Sequence, residues 1–194
     1  MTIGPLYLFV FAGLFSPGPN VILLTASGAR FGFRRTLPHI LGVAVGVGIT
    51  AGLTGLGIGA LLLAAPRATL VLKIAAAVWI LWMAWTLAKS STRPRADAKN
   101  RPFTFAEAVL FQWVNPKVWA VALAATAGYG IGLSPSQEAL RLAQAFSGIN
   151  LFVCLFWTIA GTFLARLLHT EFAWKLFLRV MAAILGVSAL LVFV

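Results

Sequence analysis

The stretch Ser16-Pro17-Gly18-Pro19-Asn20 interrupts an apolar run near the start of the chain. Proline has no N–H to donate, and its ring clashes with the carbonyl four residues earlier, so two prolines break the helix that the flanking residues favour. The break frees the carbonyls of Gly13 and Phe15 from helical partners. A new half-helix then starts near Asn20, with its N–H groups and positive dipole end facing the protein interior. This arrangement suits a carboxylate at the half-helix end and an ammonium at the freed carbonyls.

A second break, Asn115-Pro116-Lys117, lies in the middle of another apolar run. Pro116 frees the carbonyl of Gln112 from its helical partner. Lys117 places a charge deep in an apolar span, which costs several kcal/mol unless the ammonium meets water or a partner. Snorkelling to an interface is the alternative, but it requires a reach of about 15 Å. The position therefore favours a functional lysine, which is the usual meaning of an intramembrane charge.

The composition around these breaks is typical of a membrane protein. Of the 194 residues, 61% are hydrophobic and 10% are charged, whereas a soluble domain has about 25% charged residues. This balance excludes a soluble enzyme and a disordered protein. A membrane-spanning helix needs about 20 apolar residues, and the chain offers six such segments. They are Gly4–Ala26, Pro38–Leu63, Thr69–Ala88, Ala106–Ala127, Arg141–Leu164 and Trp174–Val194.

The six segments divide into two halves of three. The polar stretch Ser90–Arg101 contains a proline and is typical of a linker, so we expect a first repeat over 1–89, a linker over 90–105 and a second repeat over 106–194. An odd number of helices in each half means that the halves insert in opposite senses, as in inverted-topology transporters. The predicted fold is an all-α polytopic membrane protein whose two repeats each begin with a proline-broken helix.

The net charge of +11 indicates the orientation of the chain in the membrane. Eleven of the 15 basic residues fall in the breaks after segments one, three and five or in the first six residues after a break, around Arg34, Arg95 and Arg166. Basic loops stay in the cytoplasm, so we expect both termini outside. We take anionic lipid, rather than nucleic acid, as the partner of this charge. Homo-oligomerisation stays open.

Acidic residues are informative by their positions. Glu107 falls at the cytoplasmic edge of segment four, while Asp97, Glu138 and Glu171 fall in predicted loops. A carrier of metal or organic cations would want oxygen ligands or counter-charges within the membrane, so the sequence disfavours both substrate classes and predicts no metal site and no cofactor. If protons drive transport, the candidate carriers are Lys117, Glu107 and His39, or a proton on the substrate.

The glycines of the second segment, which include Gly42 and Gly46, have GxxxG spacing. This spacing allows two helix backbones to approach closely. Tight packing or a dimer contact is the favoured interpretation, and a flexible rocking element is the alternative.

The two proline breaks, together with Gly32-Phe33-Arg34 and the glycines early in segment two, resemble the lysine exporter and homoserine–threonine efflux family (LysE/RhtB). The runs from Ala26 to Arg35 and from Phe111 to Lys117 are similar to its branch that exports cysteine and O-acetylserine. The resemblance covers essentially the whole chain. It implies an amino-acid exporter of the bacterial cytoplasmic membrane that is driven by proton exchange.

The leading hypothesis is therefore efflux of a small neutral amino acid or derivative, of the homoserine/threonine or the cysteine/O-acetylserine type. Asn20, Asn115 and Lys117 would hold its carboxylate, and the freed carbonyls would hold its ammonium. A small channel, a non-transporting scaffold and a cation exporter are the alternatives. The predicted substrate-binding residues are Gly13, Phe15, Ser16, Pro17, Gly18, Pro19, Asn20, Gln112, Asn115, Pro116 and Lys117.

Overall fold

The computed structural model describes residues 4–16, 18–58, 64–89, 101–168 and 170–190. These residues form eight helices and no strand, so the all-helical prediction is confirmed for the described part of the chain. The helices are α1 (Gly4–Phe15), α2 (Pro19–Phe31), α3 (Phe33–Gly55), α4 (Pro66–Lys89), α5 (Phe105–Val114), α6 (Pro116–Tyr129), α7 (Pro135–Leu167) and α8 (Glu171–Leu190).

Both predicted proline breaks are present. Pro19 is the first residue of α2, and Pro116 is the first residue of α6. Proline suits this position because its missing N–H would have no helical acceptor there. The axes of α1 and α2 differ by 61°, and those of α5 and α6 differ by 65°. Pro17, the other proline of the first break, lies outside the described residues.

Among the described residues, two helices, α3 and α7, are each long and apolar enough to cross a membrane, and the number rises to four if each bent pair counts as one span. Helix α7 has 33 residues, or about 50 Å of helix, against a hydrocarbon core of about 30 Å. The described residues thus fit a polytopic membrane protein. The arrangement of six spans stays a prediction.

Several predicted boundaries were wrong. Helix α3 begins at Phe33, not at Pro38, because Gly32 adopts a φ of +79° that ends α2 and lets the next helix start at once. Pro38 is accommodated near the start of α3, where it removes one hydrogen bond. Glu138 and Glu171, which were expected in loops, lie in the first turns of α7 and α8. Acidic side chains at these positions are stabilised by the positive N-terminal ends of the two helices.

The helices pack across the two predicted halves. Helix α3 packs mainly on α7, and α4 packs mainly on α8. The pair α1 and α2 also packs on α7, whereas the pair α5 and α6 packs on α3. Each broken pair therefore lies against the middle helix of the other half.

Glycines permit these close contacts. A Cβ on Gly28 would collide with the Thr158 carbonyl of α7, and a Cβ on Gly42 would collide with the Phe105 carbonyl of α5. At Gly46 an added Cβ would lie 2.7 Å from Cγ of Gln112. The contacts of Gly42 and Gly46 confirm the packing interpretation for these two glycines of the second segment, and they fix the height at which α5 lies against α3.

Candidate functional site

The two helix breaks meet in space through Lys117 and Ser16. The Lys117 ammonium donates one hydrogen bond to the Ser16 carbonyl and another, of 2.8 Å, to the Ser16 hydroxyl. These residues stand 101 positions apart in the chain. The lysine therefore holds together the two interruptions that the sequence placed in separate halves.

A cluster of amides continues the site from this contact. Asn20 donates to Oε1 of Gln112 at 2.8 Å, and Gln112 donates back to Oδ1 of Asn20 at 3.2 Å. Gln112 also donates to the Ala108 carbonyl at 2.8 Å, and Asn115 donates to Oε1 of Gln112 at 3.4 Å. Gln112 is fully buried, so its side chain fixes α2 against α5 at the level of the two breaks.

The carbonyls expected to be free are partly engaged. The Gly13 carbonyl accepts the Ser16 hydroxyl at 3.0 Å, and the Gln112 carbonyl accepts the Asn115 N–H at 3.3 Å. The predicted loss of the helical donor is confirmed for Gln112, since Pro116 has no N–H to donate. Neither carbonyl is left free, however, because a side chain and a tightened last turn replace the helical donors. Gln112 enters the site through its side-chain amide instead. Phe15 ends α1, and its ring packs on Phe156 and Trp157 of α7.

Asn150 of α7 also belongs to the site, although the sequence did not single it out. Its Nδ2 and the Oδ1 of Asn115 are buried without a hydrogen-bond partner among the described residues. Both side chains line a cavity of about 10 Å³, together with Gly18, Asn20 and Lys117. Buried polar groups normally find partners, so these two are open to a ligand. The available signal was an amide in the middle of the apolar segment Arg141–Leu164.

We call this group of residues the break site; it consists of Ser16, Asn20, Gln112, Asn115, Lys117 and Asn150. Its cavity has room for about one water molecule, so the described conformation is closed around the polar groups. Of the other predicted residues, Gly18 lines the cavity. Pro19 and Pro116 are the first residues of the two half-helices, α2 and α6, whose N-terminal ends lie at the cavity.

Gly18 allows the lysine to lie where it does. A Cβ at this residue would lie 2.8 Å from Cδ and 3.0 Å from Nζ of Lys117. Such contacts are too short for an ordinary side chain, so any larger residue at position 18 must displace the ammonium. Its φ of −177° is open to any residue, and the requirement for glycine is therefore one of space.

The electrostatics of the break site favour an anion. The N-terminal ends of α2 and α6 both lie there, and each carries about half a positive charge. Lys117 is the second residue of α6, where its ammonium adds to the positive helix end. No acidic side chain is among the described residues that line the cavity. A carboxylate is the group that this combination of charges binds best.

The remaining proton-carrier candidates lie elsewhere. Glu107 accepts from Arg101 at 2.6 and 2.7 Å and caps the start of α5 with Thr104. This contact raises the pKa of the Arg101 guanidinium. His39 is buried, with neither ring nitrogen hydrogen-bonded to a described residue, and it lines a cleft at the ends of α2, α3 and α4. Neither residue lines the cavity of the break site.

This chain resembles a translocator family and proteins named for efflux. The family model described as LysE type translocator matches residues 11–194. A cysteine/O-acetylserine efflux protein of Klebsiella pneumoniae is 30% identical over 154 residues, which cover 78% of each chain. The protein of the same name from Escherichia coli K12 is 29% identical over 157 residues, with the same coverage. No solved structure matches this chain. The match over nearly the whole length places the chain in the LysE type translocator family, as a multi-pass membrane transporter and not an enzyme.

Proposed function

We propose that this protein exports a small amino acid whose carboxylate binds at the break site. The observation that carries the proposal is the position of the Lys117 ammonium at the meeting point of two half-helix N-termini. A carboxylate that has left water needs its full charge matched. The two helix ends and the ammonium together supply that charge.

The names of the relatives favour a cysteine or O-acetylserine substrate. The matched relatives are called cysteine/O-acetylserine efflux proteins, and the polar groups of the break site suit a small polar molecule. Asn150 Nδ2 and Asn115 Oδ1 offer one donor and one acceptor. The acceptor suits the substrate ammonium, and the donor suits a side-chain oxygen or the carboxylate.

We further propose that the chain forms two inverted repeats, over 1–89 and 106–194, joined by the linker 90–105. The exchange of packing partners supports this, since each broken pair lies against the middle helix of the other half. In this arrangement both termini lie outside the bacterial cytoplasmic membrane, and the basic loops lie inside.

Transport in this proposal requires the break site to open to each side in turn. The cavity of about 10 Å³ is too small for an amino acid, so the half-helices must separate to admit one. A bound carboxylate competes with Ser16 for Lys117, which couples substrate binding to release of the contact between the two breaks. Proton exchange would use Lys117 or His39, since Glu107 is held by Arg101 and the cap of α5.

Counterflow in proteoliposomes tests the function. Unlabelled O-acetyl-L-serine on one side should accelerate movement of the labelled compound from the other side, and the flux should saturate. A channel gives flux without this acceleration, and a scaffold gives no flux above that of empty vesicles. The proposed function would be overturned if cysteine, homoserine, threonine and O-acetylserine all gave flux without acceleration, or all gave no flux above that of empty vesicles.

A further inference from the structure

A second polar cavity lies beside Arg30 and Arg101, and the function proposed above does not use it. It has a volume of about 380 Å³ and is bounded by the end of α2, the start of α3, the end of α4 and the segment before α5. Small-molecule sites commonly have volumes of about 300–1,000 Å³. We call it the basic-end cleft. The residues that line it include Ser27, Arg30, His39, Thr86, Arg101 and Phe103.

The cleft has the chemistry of an anion site. Arg30 and Arg101 line it, and no acidic side chain is among the described residues that do so. Arg101 is held by Glu107 at the rim. The Arg30 guanidinium lies 5.0 Å above the ring of Phe31, a contact that favours this position of the side chain. A planar guanidinium is suited to bidentate binding of a carboxylate.

His39 provides an independent indication of a ligand. Its side chain is 2% exposed, and neither ring nitrogen has a hydrogen-bond partner among the described residues. The ring packs 5.1 Å from that of Phe103, which also lines the cleft. A buried imidazole without partners is costly, and a polar ligand in the cleft would satisfy it.

One face of α2 connects the cleft to the break site. Asn20, Leu23, Ser27 and Arg30 follow one another at spacings of three, four and three residues, which places them on one side of the helix. Asn20 belongs to the break site and Arg30 to the cleft, about 15 Å away. The two polar regions therefore lie at the two ends of one face of α2, which offers a path between them.

Aromatic rings close this path. Phe103 of the cleft packs edge-on against Phe111 at 6.3 Å between ring centroids. Phe111 is fully buried and immediately precedes Gln112 of the break site. An apolar plug between two polar regions lets each be occupied without the other.

We propose that the basic-end cleft is a second binding site, which takes the carboxylate of a small amino acid from the cytoplasm, through Arg30 and His39, before the molecule passes Phe111. The proposal rests on the proposed function, since it assigns the cleft to the same substrate. It adds a site that precedes the break site and can be filled independently of it.

Protection of a single cysteine tests the proposal. Ser27→Cys places a thiol in the cleft, and inside-out vesicles expose it to a negatively charged, membrane-impermeant methanethiosulfonate reagent. The native Cys154 is buried, so the wild-type protein supplies the background. O-acetyl-L-serine should slow the modification, and its methyl ester, which lacks the carboxylate, should not. Thr86→Cys offers a second reporter in the same cleft if Ser27→Cys does not fold.

Four variants separate the cleft from the rest of the protein. Arg30→Gln should raise the protecting concentration about tenfold, the loss expected for one charge-assisted hydrogen bond, and Arg30→Lys should restore part of it. Arg34→Gln is the matched control, because Arg34 is exposed on the neighbouring turn and does not line the cleft. Lys117→Met should leave protection intact.

The outcomes are distinct. Equal protection in Arg30→Gln and wild type, or loss of protection in Lys117→Met, would overturn the cleft as a separate site while wild-type counterflow upholds the proposed function. Absence of counterflow in the wild type would overturn the proposed function itself. Protection by the methyl ester would show that the carboxylate is not what the cleft recognises, and would also overturn the proposal.

Discussion

Lys117 and Ser16 join the two interruptions of this helical bundle by hydrogen bonds from one ammonium to a carbonyl and a hydroxyl. A helix break needs donors for its freed carbonyls, and a half-buried ammonium in an apolar span needs acceptors. Each group therefore satisfies the other in the closed conformation. A substrate carboxylate is a better partner for the ammonium than a neutral carbonyl, so binding favours separation of the two breaks.

Gly18→Ala is expected to reduce export without unfolding the protein. The added methyl would lie 2.8 Å from Cδ of Lys117, and the flexible lysine stem moves more easily than the backbone. The ammonium then leaves its place beside Ser16. Efflux from proteoliposomes at matched protein level measures the loss.

Gly148→Ala is the matched control for that variant, since a Cβ at Gly148 meets no atom within 4 Å. It should export as the wild type does. Equal export by Gly18→Ala and Gly148→Ala would show that the position of the ammonium is not critical.

Asn150→Leu should separate stability from function. The Asn150 side chain is 2% exposed, and its Nδ2 lacks a partner among the described residues, so replacing it with an apolar group of similar size removes an unsatisfied donor. Thermal unfolding in detergent should occur at the same temperature or higher, while amino-acid efflux falls. A large drop in unfolding temperature would mean that Asn150 is a structural residue instead.

Glu107→Gln should retain proton-driven efflux. Glutamine also serves in a capping box, so the start of α5 should survive, and the exposed ion pair with Arg101 contributes little to stability. The measurement compares efflux with and without an imposed pH gradient. Loss of the gradient response, with counterflow preserved, would identify Glu107 as the proton carrier.

The proposed orientation predicts opposite labelling of two exposed positions. Ile131 lies between α6 and α7 and is 65% exposed, whereas Arg34 lies near the start of α3. An impermeant thiol reagent should label Ile131→Cys in intact spheroplasts and Arg34→Cys only after lysis. The reverse pattern would place the basic loops outside.

Local chemistry explains why some features were predictable. The breaks at Pro19 and Pro116 follow from a missing N–H, and the importance of Lys117 follows from its charge in an apolar run. The contact between Lys117 and Ser16 was not predictable, because it depends on how the two halves align. That alignment is set by packing at glycines such as Gly42 and Gly46, which the sequence marks as close approaches without naming the partner.

The role of Gln112 shows the same limit. The position of Pro116 correctly predicts that the Gln112 carbonyl loses its helical donor, but the Asn115 N–H replaces that donor. The side chain proved more important, because it pairs with Asn20 across 92 residues. Asn150 was missed for a related reason: one amide in a long apolar helix has no local partner that marks it as part of a site.

Amino-acid efflux by Lys117→Met tests the central claim most directly. Methionine keeps the length and apolar character of the stem and removes the ammonium. The variant should insert and fold, while saturable efflux of O-acetyl-L-serine falls by at least about tenfold, the equivalent of one lost charge-assisted hydrogen bond. Lys117→Arg, which keeps the charge but cannot release its proton, should still bind substrate. Wild-type efflux by Lys117→Met, at matched protein level in proteoliposomes, would contradict the account.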